Sequence, residues 1–148
     1  MHMKNLRFIL VSVFTIVFVN ISGYGFCQTG EPWSAKELME PEGLAGLLNT
    51  SKEVPVMFNI GPLADIKGAV HVGSTANKAG LEILSRLAAK VPKDKMVVLY
   101  CGCCPFRNCP NIRPAFNLLK EQGYKNIRLL NLKHNLKVDW TDYGYPMN

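Results

Sequence analysis

The chain has 148 residues, a hydrophobic content of 48% and a formal net charge of +6, long enough for one domain with its own core and no disulfide staples. The basic residues are scattered, and Lys4 and Arg7 fall within the first seven positions. The sequence has no clustered basic stripe or nucleic-acid motif, which excludes a nucleic-acid-binding protein of a recognisable class, while a pocket for a small anion stays compatible with the charge.

Met1 to Arg7 is short and positive, Phe8 to Val19 is apolar apart from Ser12 and Thr15, and Asn20 to Gly25 is more polar. The apolar run is shorter than a comfortable membrane span and fits the hydrophobic region of a signal peptide. Gly25 and Cys27, ahead of Gln28, place small residues where a signal peptidase reads. The alternatives are a retained anchor and a lipid-modified Cys27, the latter opposed by the bulk of Phe26. The expectation is a signal peptide over 1–27, one domain over 28–148, and a periplasmic or secreted protein without membrane attachment after cleavage.

Ser34 with Glu37 three residues on is a capping-box pattern and predicts a short helix through Leu38 and Met39, limited by Pro41. Glu42 to Leu48 predicts a second short helix, and Asn49-Thr50-Ser51 a turn. Val54 to Ile60 reads as a buried strand with Pro55 near its start, where a missing N–H is tolerable. Gly61-Pro62 breaks it. Gly68 to Val72 holds a short strand, and Asn77 to Val91 carries Leu81, Ile83, Leu84, Leu87 and Ala88 mostly at helical spacing. After the polar turn at 92–95, Met96 to Tyr100 has the composition of a buried strand. Ile112, Ala115, Phe116, Leu118 and Leu119 define a helix that ends at Gly123, with Pro114 tolerable in its first turn. Asn126 to Leu130 is another strand, and Lys133 to Trp140 a last short helix. Strands alternating with helices predict an α/β fold with a mainly parallel sheet. No repeat, low-complexity tract or second domain interrupts the pattern.

Between the Met96–Tyr100 strand and the next helix lie Cys101, Cys103, Cys104 and Cys109, all the cysteines beyond Cys27. Four thiols in one loop cannot tie distant parts of a fold together, so they argue for chemistry or metal rather than a disulfide framework. Cys101 stands at the carboxyl end of a strand, where active sites of parallel sheets lie. The helix beyond the loop brings unpaired N–H groups and the positive end of its dipole, an environment that lowers a thiol pKa.

Several ordered segments resemble the rhodanese-like family: Ile66-Lys67-Gly68-Ala69-Val70, Val97-Val98-Leu99-Tyr100-Cys101, Leu118 to Ile127, and Trp140 with Gly144-Tyr145-Pro146. The likeness spans nearly all of residues 32–148. It implies a mainly parallel sheet flanked by helices on both faces, and a loop whose backbone N–H groups cradle a sulfur-bearing cysteine. It further implies a sulfurtransferase, in which a Cys101 thiolate takes a sulfane sulfur from a thiosulfate-like or persulfide donor and yields it to a thiol acceptor. Gly102, Cys103, Cys104, Pro105, Phe106, Arg107 and Arg113 are then the candidate substrate-binding residues, with Arg107 the preferred cation and Arg113 the runner-up. Two departures stand out: Asn59 and Gly61 occupy positions where the family usually has aspartate and arginine, and the segment from Cys101 to Leu118 is several residues longer than the common pattern.

Three readings apply to Cys103, Cys104 and Cys109. One of them resolves a persulfide or sulfenate on Cys101 by forming a disulfide. Alternatively they bind a soft metal, or they pair to brace the loop. Adjacent Cys103 and Cys104 would pair only under strain, which favours Cys109 with one of them. A non-catalytic redox or metal-binding module built on these thiols is the alternative to the enzyme. Cys101 to Arg107 also has the Cys-x5-Arg spacing of cysteine phosphatases, in which the arginine clamps phosphate oxygens; the Ser or Thr usual after that arginine is Asn108 here. His71, His134, Trp33 and Trp140 read as structural residues. The sequence leads to an expectation of no cofactor, a monomer, and as partners only a small sulfur-containing anion or a thiol acceptor.

Overall fold

The fourth strand, β4 (Val97–Tyr100), has all four residues buried, as expected of a parallel strand covered on both faces. It lies at the centre of a five-stranded sheet in the computed structural model, which describes residues 33–50 and 53–148. The signal-peptide reading over 1–27 lies outside the described residues, and no helix among those described is long and apolar enough to cross a membrane.

The other strands are β1 (Leu38–Met39), β2 (Val56–Asn59), β3 (Val70–His71) and β5 (Ile127–Leu130), in the spatial order β1-β5-β4-β2-β3. Every pairing in the sheet is parallel. The sheet separates two apolar layers. Phe58, Val97, Leu99 and Leu129 pack on one face with α2 (Lys78–Ala88) and α3 (Ile112–Glu121). Met57, Val98, Tyr100 and Leu130 pack on the other with α1 (Pro41–Thr50) and α4 (Leu136–Asp139). The fold class expected from the sequence, α/β with helices on both faces, is the one observed.

Local chemistry sets the helix limits. The Asn77 side chain accepts the Gly80 N–H at 3.0 Å and starts α2. Asn135 does the same for Val138 at the start of α4, and Pro41 opens α1 where its missing N–H costs nothing. Trp140, fully buried, donates its indole N–H to the Pro146 carbonyl and closes the chain against the second layer. Burial of a side chain this large is worth roughly 3–5 kcal/mol against alanine.

One expected helix is absent. Ser34 does meet Glu37, donating its backbone N–H and its hydroxyl to Glu37 Oε2 at 2.8 and 3.0 Å. Those bonds close a turn, and the next two residues become β1, paired with Leu129 and Leu130. Pro41 lies too near for a helix from Ser34 to gain a second turn, whereas pairing with β5 satisfies the backbone. The helix expected over Glu42–Leu48 runs longer, from Pro41 through Thr50. The last helix is shorter than expected.

Candidate active site

Because all strands run the same way, Tyr100 delivers the chain to the carboxyl edge of the sheet. The Ile60 N–H donates to the Tyr100 carbonyl there at 2.8 Å, which sets the Gly61 turn beside Cys101. A Cβ at position 61 would lie 2.8 Å from Cys101 Sγ and 3.1 Å from its Cα. The sequence departure at Gly61 thus has a local reason: no larger residue fits against this sulfur. On the other side Gly102 adopts φ +35°, and a Cβ there would meet Leu136 Cβ at 2.8 Å. Its carbonyl accepts the Leu136 N–H at 2.8 Å. Cys101 is held between these two contacts and is only 4% exposed.

The loop brings all four thiols together. Cys103 Sγ lies 3.3 Å from Cys101 Sγ and 3.7 Å from Cys104 Sγ. The sulfurs of Cys101, Cys103 and Cys104 all fall within 4.8 Å of one another, a donor set suited to a soft metal ion. Cys109 is buried and hydrogen-bonded to Cys101. All four are free thiols. The pairing that local sequence favoured, Cys109 with Cys103 or Cys104, is not formed; Cys109 turns inward to Cys101 instead.

Asn111, at the start of α3, is the residue sequence reasoning missed. It is 4% exposed, and its amide N–H donates to Cys101 Sγ at 3.2 Å. Its amide oxygen accepts from the Ser74 hydroxyl at 2.7 Å and the Ala76 N–H at 2.9 Å. The Thr75 hydroxyl donates to its backbone carbonyl at 2.8 Å. The Ser74–Ala76 segment thereby fixes which end of the amide faces the sulfur. The available signal was an asparagine directly before a helical run, which reads as an N-cap; here the side chain caps nothing and serves the cysteine.

These contacts set the acidity of the thiols. The Cys109 thiol, donating to the Cys101 sulfur, is the main influence bringing Cys101 from 9.0 down to about 5; burial opposes it, and the Asn111 amide, the Cys103 thiol and the Cys103 backbone N–H assist. Partial desolvation within the loop, and the sharing of its proton with Cys101 and Cys104, push the otherwise exposed Cys103 up to about 12. Donation to Cys101, together with burial, holds Cys109 far above its ordinary value. The cradle therefore differs from the one expected. Its strongest members are two thiols and an amide, joined by one backbone N–H, and the Asn111 backbone N–H serves Cys109.

The remaining predicted site residues take varied places. Phe106 is buried, 6.2 Å from the Trp33 ring, and belongs to the core. Pro105 is half-buried, and Arg107 is exposed on the 3-10 turn Phe106–Asn108. Arg113 lies over the Trp33 ring at 5.3 Å. A narrow apolar crevice lined by Cys101, Cys104, Phe106, Ile112 and Leu132 adjoins the sulfur and does not admit a sphere the size of water. His71 bonds to Asp65 at 3.0 Å, and Asn59 Nδ2 donates to the same carboxylate at 2.7 Å. His71 is level with Asn59, which alternates with Phe58 and Ile60 and so faces away from the Cys101 layer. His134 pairs in the same way with Asp139, at 2.8 Å.

No protein-family model matches the chain, and no curated protein sequence does. Solved structures do. The solution structure of the rhodanese-like domain of the Alr3790 protein from Anabaena sp. superposes with a TM-score of 0.53 at 17% identity, over 76% of this chain and 78% of that one. The crystal structure of the Anabaena protein gives 0.56 at 16% identity, over 74% and 90%. The fold is rhodanese-like. Wild-type EanB also superposes, with a TM-score of 0.52 at 20% identity over 74% of this chain, which spans only 27% of that protein; a related EanB structure is a complex with hercynine. In this rhodanese-like fold the parallel sheet, the cysteine at its carboxyl edge and the helix after it are those expected from sequence.

Proposed function

We propose that the protein is a sulfurtransferase that carries sulfane sulfur as a persulfide on Cys101. The observation that carries this reading is the Cys101 sulfur itself: buried, at the carboxyl end of β4, and lowered to about 5 by the donors around it. Such a thiol is a thiolate at neutral pH, and the thiolate is the nucleophile. It attacks the outer sulfur of a thiosulfate-like donor. A bond forms between Cys101 Sγ and that sulfur, the donor's S–S bond breaks, and sulfite leaves with the bonding pair. A thiol acceptor then attacks the outer sulfur and Cys101 departs as thiolate. The Asn111 amide and the Cys103 N–H stabilise the sulfur anion at both stages. Arg107, exposed on the loop, is the preferred contact for the incoming anion. The proposal extends to a monomer acting in the periplasm or outside the cell.

The test is intact mass after reduction and loading with thiosulfate. Wild type takes up one sulfur atom, counted as mass gained plus any sulfide released, and Cys101→Ser takes up none. A wild type that takes no sulfur from thiosulfate or from a persulfide donor refutes the reading.

A second reading is favoured by the closeness of the Cys101, Cys103 and Cys104 sulfurs: a module that holds a soft metal ion on three thiolates. Metal analysis of anaerobically purified protein separates the two. Stoichiometric copper, zinc or iron supports the metal reading, and their absence removes it.

A further inference from the structure

We propose that Cys103 resolves the Cys101 persulfide within the same molecule, releasing hydrosulfide and leaving a Cys101–Cys103 disulfide. This rests on the sulfurtransferase reading and adds an activity to it: reduction of the carried sulfur rather than its transfer to an external thiol.

Sequence left three candidates for a resolving thiol, and distance and exposure separate them. Cys103 Sγ is already 3.3 Å from Cys101 Sγ, close to the approach distance of reacting atoms. Cys104 has Cys103 as a sulfur neighbour at 3.7 Å. Cys109 touches Cys101 but is 7% exposed, so a disulfide made with it would be sealed from any reductant. Cys103 is exposed. A Cys101–Cys103 bond thus has one sulfur in the core and one open to solvent, and exposed disulfides are the labile ones that turn over. Gly102, between them, has no side chain to obstruct closure, and its φ of +35° already folds the chain back at that point.

The step balances. In the persulfide the charge that held the Cys103 proton has moved from Cys101 Sγ to the terminal sulfur, which takes that proton. The Cys103 thiolate so formed attacks Cys101 Sγ, the bond from Cys101 Sγ to the carried sulfur breaks, and the carried sulfur leaves with the bonding pair as hydrosulfide. The carried sulfur is reduced to hydrosulfide while two thiols are oxidised to a disulfide. A second turnover then requires an external dithiol, which exchanges with the disulfide at Cys103, restores both thiols and leaves as its own disulfide.

The test uses full-length protein, reduced, freed of reductant under anaerobic conditions and loaded with limiting thiosulfate. Sulfide is measured, and the alkylated protein is mapped by mass spectrometry. Wild type releases sulfide in an amount equal to the sulfur loaded, without added thiol, and acquires a Cys101–Cys103 linkage. Cys103→Ser, whose hydroxyl can still donate to Cys101 Sγ, loads more slowly than wild type but keeps whatever sulfur it takes up on Cys101 and releases no sulfide. Equal sulfide release from wild type and Cys103→Ser overturns the proposal, as does a disulfide that maps to Cys104 or Cys109. Sulfur retained on Cys101 in both proteins also overturns it while upholding the sulfurtransferase. If neither protein takes up sulfur, whether as added mass or as sulfide released, both readings fall.

Discussion

Replacing Asn111 tests the cradle at its one donor outside the cysteine cluster. In Asn111→Ala the sulfur loses an amide donor now 3.2 Å away. A hydrogen bond to a charged group is worth about 1.5–3 kcal/mol, and one pKa unit corresponds to about 1.4 kcal/mol. The Cys101 thiol is therefore expected to rise by roughly one to two units from about 5. Asn111→Asp goes further: one carboxylate oxygen keeps the bonds from Ser74 and Ala76, and the other turns a charge toward the thiolate. At an effective dielectric of about 20, two charges this close repel by several kcal/mol. The assay is the pH dependence of thiosulfate loading, read as mass gained on the Cys101 peptide plus sulfide released. The midpoint moves upward in the order wild type, Asn111→Ala, Asn111→Asp. Identical midpoints in all three proteins would show that the amide does not act on the sulfur and would refute this account of its acidity.

The geometry carries two further expected outcomes. Gly61→Ala forces a methyl to within 2.8 Å of Cys101 Sγ; it should cost about 1–3 kcal/mol of stability as an overpacked contact and slow sulfur loading, and a wild-type denaturant midpoint together with wild-type loading would contradict the packing argument. The reduced protein should become more stable as pH rises from about 5 toward 9, because the unfolded chain still binds the Cys101 proton in that window and the folded one does not. Above 9 the raised Cys103 and Cys109 thiols act in the opposite sense, since the folded state keeps their protons longer. Denaturant titrations across this range, with Cys101→Ser as control, check it: the rise below 9 should vanish in the variant, and an unchanged rise would assign it to other groups.

The order of strands and helices was legible because buried strands and helix faces leave local hydrophobic patterns. Cys101 could be singled out the same way, from the apolar run that ends at Tyr100. Its partners could not. Asn111 is oriented by Ser74 and Ala76, 37 and 35 residues earlier in the chain, and no local pattern signals that meeting. Gly61 looked like a lost polar residue until its contact with the sulfur was visible. The Ser34–Glu37 pair misled for the opposite reason: its local hydrogen bonds form as the pattern demands, yet Leu38 and Met39 are drawn into a strand by pairing with β5. The thiol pairing inferred from strain rules concerned neighbours in sequence, whereas in the folded loop Cys109 is buried against Cys101.

The sheet's outer strands carry a consequence of their own. β1 and β3 are each two residues long, beside inner strands of four. An edge this short offers few free backbone groups in a row, which blunts the template on which a foreign strand would align. A polypeptide that docks on this protein by extending its sheet would find almost nothing to register against. What the fold presents at its carboxyl edge, where the cysteine loop lies, is loop and side chain rather than strand.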